Sequence, residues 1–384
     1  MRILLASPAY WPAHAFGGPV VVARELVSRL VARGHEVEVV TTTLTDVGVR
    51  PGRRTRVETV DGARVTYLGT PLRYRWMGIT PTLPPALGRL RRPDVVHVLG
   101  FRDPVTTGVA AWCRLRRVPY VFEPVGMFRP RLRKVLLKRL VDSTLTRGVA
   151  AGAKLVIVSS PRERDDVLAG GLGAGLVRIR GNAFPEPPPP TEADPLEGIV
   201  PSEAPVALYV GRIAAEKGVE HLLEAARRLR ELHVVLAGPD DRHGTMAAVR
   251  AALVAPATAG RVHVLPPTPG PPFDLYRRAD VFVLASGGES FGLVAAEAAS
   301  VGTAVIVSDR TGVAASFEDG EALVVPYGTE TTVDAIARVL GDSALRERLS
   351  AGALRAAARS TWDAVIDAQV AIYLEAVGKV EGRG

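Results

Sequence analysis

Two carboxylates, Glu289 and Glu297, stand eight residues apart in the stretch SGGESFGLVAAEAASVGTAVIVSD, residues 286–309, where a β-branched run gives way to an alanine-rich helical pattern. A carboxylate accepts two hydroxyl hydrogen bonds well, so one of the pair can hold a sugar and the other a ribose. Their spacing is not that of a general acid/base pair, and no double displacement by paired carboxylates is expected. The alternative is that each simply solvates the outer face of its helix. Ser290, Phe291, Gly292 and Leu293 read as the first helical turn, whose free N–H groups and positive dipole end seat a phosphate or another polar oxygen. At roughly 1.5 Å per residue, Glu297 then lies about a turn and a half beyond Glu289, and the two bracket a ligand along the helix mouth.

The matching cations lie some seventy residues earlier. VALYVGRIAAEKG places Gly211 and Arg212 just after a strand, with Lys217 and a glycine closing the following loop before a helix. Arg supplies a planar fork, Lys a point charge, and Gly close backbone approach, a combination suited to a diphosphate. As isolated residues, Arg212 and Lys217 would be ordinary solvated loop charges. Their place at the carboxyl end of a strand, in register with the Glu289 loop, favours the binding role.

That register depends on a particular architecture. RILLAS, HEVEVVTT, RVTYLG, DVVHVLG, PYVFEP, LVIVSS and VRIRGN precede residue 185; VALYVG, HVVLAG, VHVLPP, VFVLAS and AVIVSD follow residue 205. Runs this apolar on both faces, alternating with helical patterns, indicate an α/β protein built on two helix-covered parallel sheets. Ligands of such sheets bind beyond the carboxyl ends of the strands. The proline-dense segment 185–205 suits an extended connector. The expected organisation is therefore a first domain over 1–184, the connector, and a second domain over 206–360, with the final helical pattern at 361–384 able to pack back on the first. The 384 residues, 47% hydrophobic, suffice for two cores.

Taken together, GRIAAEKG, VVLAGPDD and ESFGLVAAEAASVGTAVIVSD resemble the signature segments of the retaining glycosyltransferases of family 4, in order and spacing over nearly the whole chain. The resemblance implies the GT-B fold, two Rossmann-like domains facing each other across a cleft. It also implies transfer of a sugar from a nucleotide-diphosphate donor, UDP or GDP type, to a hydroxyl-bearing acceptor: a saccharide, a lipid-linked sugar or a small molecule. Glu289 would contact the donor sugar, Glu297 the nucleotide ribose, and Arg212 and Lys217 the diphosphate, so that Arg212, Lys217 and Glu289 carry the chemistry. The donor phosphate would itself take the acceptor's proton, in keeping with the absence of an evident catalytic base. Two other functions compete: an inactive nucleotide-sugar-binding protein and a sugar-nucleotide epimerase of the same fold.

The amino-terminal loop SPAYWPAHAFGGPVVVARELVSRL is similar to the family's first loop, where Gly17 and Gly18 open a helix close to the donor phosphates. Glycines at a helix start permit close approach of an anion, and a simple turn and cap is the alternative. Tyr10, Trp11, His14 and Phe16 in that loop are the best local supply of rings for an acceptor, unless they pack into a wall. Two departures stand out: Val125-Gly126 where many members carry His-Gly, and Asn182-Ala183 where many carry Asn-Gly. The first removes a polar contact near the donor sugar, for which Glu123 is a substitute unless it is a surface or capping residue. His97, inside an apolar run, reads as a core histidine.

Composition excludes several other classes. The single cysteine, Cys113, permits no internal disulfide framework or cysteine-based metal site. Seven scattered histidines make no ligand pair, no metal or further cofactor is expected, and Asp240-Asp241 read as a solvated loop. GGLGAG at 170–175 ends a helix and is no dinucleotide fingerprint. The net charge of +8 comes from 48 basic residues, 43 Arg and 5 Lys, against 40 acidic ones, spread along the chain without a nucleic-acid-binding motif. The opening MRILLASPAYWP is too short in its apolar run for a signal peptide, and the expected location is the cytoplasm. The segment 129–147 has a leucine face covered by basic residues. It reads either as a domain helix or as a peripheral contact with the inner face of a membrane.

Overall fold

In a computed structural model, which describes residues 1–46, 48–74, 76–128, 147–240, 244–268 and 270–378, the chain divides into two compact units. One comprises Met1–Arg180 and Val365–Gly384, the other Gly181–Ala364. The basic pattern at 129–147 lies outside the described residues, apart from Arg147, which opens the short helix Arg147–Ala151. Asp241 lies outside them too. Among the described residues, no helix is long and apolar enough to cross a membrane.

The first unit is built on the strands β1 (Arg2–Ala6), β2 (Glu36–Thr42), β3 (Arg56–Val60), β4 (Ala63–Leu68), β5 (Leu72–Tyr74), β6 (Met77–Ile79), β7 (Val95–Leu99), β8 (Tyr120–Glu123), β9 (Leu155–Val158) and β10 (Val177–Ile179). Eight of these form one sheet in the order β10-β9-β8-β7-β1-β2-β4-β3, parallel except for β3 at the edge, and β5 and β6 form a separate hairpin. VVHVL in β7 and YVFE in β8 are buried at every position, as strands covered on both faces must be. The helix Gly18–Ala32 buries Val20, Ala23, Leu26, Val27 and Leu30, an i, i+3, i+4 stripe turned to the sheet. Pro104–Arg116 starts where Asp103 accepts the N–H groups of Val105 and Thr106, both at 2.9 Å, capping a buried helix end.

The second unit carries β11 (Val206–Val210), β12 (His233–Ala237), β13 (Val262–Leu265), β14 (Val281–Leu284), β15 (Ala304–Ser308) and β16 (Leu323–Val325), all parallel in the order β13-β12-β11-β14-β15-β16. The order reverses between β11 and β14, a topological switch point at which the loops after those strands diverge to opposite sides.

The proline-rich connector is less free than its composition implies. Phe184, Leu196 and Val200 are buried in the second unit's core. Asp274 accepts from Thr191, Arg277 donates to the carbonyl of Pro188, and Arg278 donates to those of Pro201 and Ser202. Prolines withhold donors but leave carbonyls, and these arginines use them.

Within the first unit, the carboxyl-terminal helix Trp362–Ala376 supplies two buried polar side chains from its later turns. Gln369 accepts from Arg180 at 2.7 Å, and the Tyr373 hydroxyl lies 2.8 Å from His97 Nδ1. Arg180 also pairs with Glu123 at 3.0 Å, and Glu123 stands 3.1 Å from His97 Nε2, within ion-pair range although poorly aligned for a hydrogen bond. Glu123 is therefore neither a surface residue, nor a cap, nor a sugar contact. Burial pushes its carboxyl up, but Arg180 and then His97 pull it further down, below the ordinary carboxylate value.

Candidate functional site

Three loops at the carboxyl ends of β11, β12 and β14 are locked to one another through glycines. Gly211, at φ +140°, donates to the Ala237 carbonyl at 2.9 Å. A Cβ on Gly238 would stand 2.0 Å from the Gly211 carbonyl oxygen, so the turn after β12 seats directly on the turn after β11. Beyond Arg212, the 3₁₀ turn Ala215–Lys217 ends at Gly218 in the left-handed region, where a Cβ would stand 1.9 Å from the Ala285 carbonyl oxygen. Only glycine fits there. The Glu216 carbonyl then accepts from Gly287 N–H and the Ser286 hydroxyl, both at 2.9 Å, which ties the Lys217 loop to the loop after β14. The loop after β15 closes the arrangement, Glu289 N–H donating to the Arg310 carbonyl at 3.1 Å.

The outcome is a direct ion pair between Lys217 Nζ and Glu289 Oε1, with side chains only 17% and 19% exposed. Arg212 is brought to the same rim. Its guanidinium, 57% exposed, faces Glu216 at 3.6 Å, while its carbonyl accepts from the buried Tyr209 hydroxyl at 2.7 Å. Burial and then the Glu289 charge push the Tyr209 hydroxyl well above the ordinary tyrosine range, against the pull of Arg212. It remains a neutral donor.

Glu297 has a different environment. It lies half-buried on the helix Leu293–Ser300, and its Oε2 accepts from the Tyr276 hydroxyl at 2.7 Å. Tyr276 comes from the helix Phe273–Arg278 and is fully buried against Phe282. Burial raises the Glu297 carboxyl, and the Tyr276 hydrogen bond only partly offsets the rise. The burial of Tyr276 lifts its own hydroxyl too, with the Glu297 charge and Tyr209 adding to the effect. Tyr276 thus holds Glu297 directly, while Tyr209 holds the Arg212 carbonyl and feels the Glu289 charge. The second oxygen of Glu297 has no hydrogen-bond partner among the described residues and can accept from a ligand.

The helix starts later than its sequence implies. Phe291 is buried, its carbonyl accepts from Val313 N–H at 2.7 Å, and Gly292 is left-handed at φ +109°, so Ser290, Phe291 and Gly292 form a turn and the helix begins at Leu293. The backbone N–H groups at its mouth come from Leu293 and its successors, and no side chain caps them.

In the first unit, Gly17 at φ +73° caps the helix opened by Gly18, with no side-chain cap. The four rings of that loop have separate fates. Tyr10 is 1% exposed and therefore not available for stacking, and its hydroxyl has no hydrogen-bond partner among the described residues. Phe16 packs on Ala9, Ala13 and Val20. Trp11 lies under the Arg24 guanidinium at 3.7 Å and meets His14 edge-on at 4.2 Å; of the four, His14 is exposed. Val125 and Gly126 are both left-handed, at φ +51° and +72°, a conformation that strains a β-branched residue. Their turn is held by the Gly126 N–H bond to the buried Glu163 carboxylate and by Arg102, which donates to the carbonyls of Met127 and Phe128.

Comparison with known proteins identifies the family and the fold. The family model described as Glycosyl transferase 4-like domain matches residues 17–183, and that described as Glycosyl transferases group 1 matches residues 192–355. The chain belongs to the GT-B glycosyltransferases of family 4. Among related family proteins, the D-inositol 3-phosphate glycosyltransferase of Jonesia denitrificans is 34% identical over 187 residues, 46% of this chain and 44% of that protein. That of Xylanimonas cellulosilytica is 32% identical over 245 residues, 59% and 58% of the two chains. The matches thus span about half the length of these relatives. Sucrose-phosphate synthase from Thermosynechococcus elongatus superposes with a TM-score of 0.75 at 23% identity, over 99% of this chain and 100% of its own. Anabaena Alr3699/HepE, solved with UDP and glucose, gives 0.75 at 17% identity over 98% and 99%. At these identities the likeness is one of GT-B fold. Among the described residues, no group of three or more His, Cys, Asp or Glu is placed to hold a metal ion.

Two contributors escaped the sequence reading, Tyr209 and Tyr276. Each looks like a core residue of its strand or helix, and its role depends on an acceptor that the fold brings close, the Arg212 carbonyl for Tyr209 and the Glu297 carboxylate for Tyr276.

Proposed function

We propose that this protein is a retaining glycosyltransferase that moves a sugar from a nucleotide-diphosphate donor to a hydroxyl-bearing acceptor. The observation that carries the proposal is the Lys217–Glu289 pair, set on one rim with Arg212, whose carbonyl is held by Tyr209, while Tyr276 holds one oxygen of Glu297. Lys217 and Arg212 stabilise the leaving diphosphate as the bond from the sugar's anomeric carbon to phosphate oxygen breaks and its electron pair passes to that oxygen. The acceptor oxygen bonds to the same carbon on the same face, and its proton passes to a donor phosphate oxygen, so no protein base is needed. Glu289 orients the sugar hydroxyls, and Glu297 takes ribose hydroxyls on its open oxygen.

A donor of the UDP type is supported by the UDP bound in Alr3699/HepE, and phosphorylated polyols lead the acceptor panel because the relatives are named for D-inositol 3-phosphate. The test is nucleotide diphosphate release across UDP-, GDP- and ADP-sugars with that panel, followed by the anomeric configuration of the product. Inversion overturns retention, a donor returned with a changed sugar indicates an epimerase, and nucleotide-sugar binding without turnover indicates a binding protein.

A further inference from the structure

The hairpin of β5 and β6 has two unlike faces. Leu72 pairs with Ile79 and Tyr74 with Met77, so these four side chains share one face, while Arg73 and Gly78 share the other. The Gly78 face is seated on the molecule: a Cβ there would stand 2.7 Å from Thr70 and 3.2 Å from Leu44. The opposite face meets water, with Leu72 65%, Tyr74 55% and Ile79 45% exposed. An apolar face of this kind, raised on a hairpin, marks an interaction site.

Its surroundings are cationic. The loop between β2 and β3 is bound to the hairpin's base, Thr70 N–H donating to the Gly52 carbonyl at 2.8 Å and Gly69 N–H to the Thr55 hydroxyl at 3.0 Å. A Cβ on Gly69 would stand 2.3 Å from the Arg53 carbonyl oxygen, and Arg73 donates to the Asp46 carbonyl at 3.2 Å. This places Arg50, Arg53 and Arg54 on the loop flanking the apolar face, with Arg73 on the hairpin's seated face. No described carboxylate is within ion-pair range of any of the four. Val49, 52% exposed, adds a further apolar group to the same loop. The loop and the hairpin follow β2 and β4, so both lie at the carboxyl edge of the first sheet, the edge that also carries the Trp11 loop.

We infer that this hairpin and its arginine loop dock on an anionic lipid bilayer, Leu72, Tyr74 and Ile79 entering the interface while the arginines meet lipid headgroups. An apolar face alone has many possible occupants. The exposed guanidinium groups of Arg50, Arg53 and Arg54 beside it, with no described carboxylate in ion-pair range, select a surface that is anionic and apolar at once. The inference rests on the glycosyltransferase reading only for its use, which is to bring the acceptor side of the enzyme to a lipid-linked acceptor.

Flotation of the full chain with vesicles tests this without any turnover, so its failure is distinct from failure of the assigned activity. The protein is expected to float with phosphatidylcholine vesicles containing phosphatidylglycerol, to stay behind with phosphatidylcholine alone, and to be released by salt. L72S/I79S lowers the bound fraction about tenfold or more. R50S/R53S/R54S lowers it by about fivefold per arginine at low salt. Donor binding and the thermal midpoint of both variants stay at wild-type values, which shows that they fold. Absence of flotation with anionic vesicles at low salt overturns the inference, and so does binding indifferent to both variants. Self-association in sedimentation velocity that L72S/I79S abolishes also overturns it, since the face then belongs to a second copy of the chain.

Discussion

Neutralising Glu289 and removing the Lys217 charge are expected to act in opposite directions on nucleotide binding. On the proposed assignment, Lys217 divides its charge between Glu289 and a bound diphosphate. A hydrogen bond to a charged group contributes about 1.5–3 kcal/mol, so K217M weakens nucleotide diphosphate binding roughly ten- to a hundredfold. E289Q removes a negative charge beside the diphosphate and releases the ammonium of Lys217. Its nucleotide diphosphate affinity therefore stays the same or rises, by up to about tenfold, while sugar transfer falls at least as far as in K217M. The two side chains are mostly buried, so each single substitution strands a partner and costs about 1–3 kcal/mol of stability. K217M/E289Q costs less than the sum of the two. Isothermal titration with UDP and GDP, nucleotide release assays and urea unfolding of the three variants give the complete cycle. Tenfold weaker nucleotide binding in E289Q, or unaltered binding in K217M, refutes the assignment of these residues. Additive stabilities would show that the ion pair is not an energetic unit.

Glycine substitutions probe the locking of the loops. G260A meets open space at φ +75° and costs about 1 kcal/mol for its backbone alone, whereas G218A and G238A also drive a methyl into a carbonyl oxygen and cost about 1–3 kcal/mol more, read by urea unfolding, with donor affinity lost only in the latter two. Because burial raises the Glu297 carboxyl, its ionised form opposes folding above the ordinary carboxylate range. E297Q should therefore be more stable than wild type near pH 7, lose that advantage as pH falls through the raised value, and bind the donor more weakly at every pH. His233 Nδ1 and His263 Nε2 lie 3.0 Å apart in stacked rings. Burial lowers both, with Arg261 and Arg278 adding to the shift at His233 and His233 adding to that at His263. The unfolded chain then takes up protons first, so stability is full above the ordinary imidazole value and declines as pH falls below it; urea midpoints between pH 7.5 and 5 should show that decline, and H263Q should flatten it.

The two parallel sheets were legible because β7, β8, β14 and β15 are apolar at nearly every position, which only strands covered on both faces allow. Lys217 and Glu289 were legible for a related reason, since strand ends and glycines mark where loops converge. The start of the Glu297 helix was not, because it depends on a distant bond between Phe291 and Val313 that pulls the first expected turn into the core. Tyr276 finds its partner 21 residues on, and Glu123 answers Arg180 57 residues on, so neither residue carries a local signal of its role. The connector's prolines hid buried anchors in the same way, as Leu196 and Val200 pack on a core formed by later strands.

The return of the last helix bears on how such enzymes can be recombined. The first unit is completed by Gln369 and Tyr373, which answer Arg180 and His97 from the far end of the chain. A chimaera spliced once between residues 180 and 181 would take its tail from the wrong parent and set a foreign helix against a buried arginine and histidine. Exchange of intact modules needs two junctions, with the tail travelling with the first half.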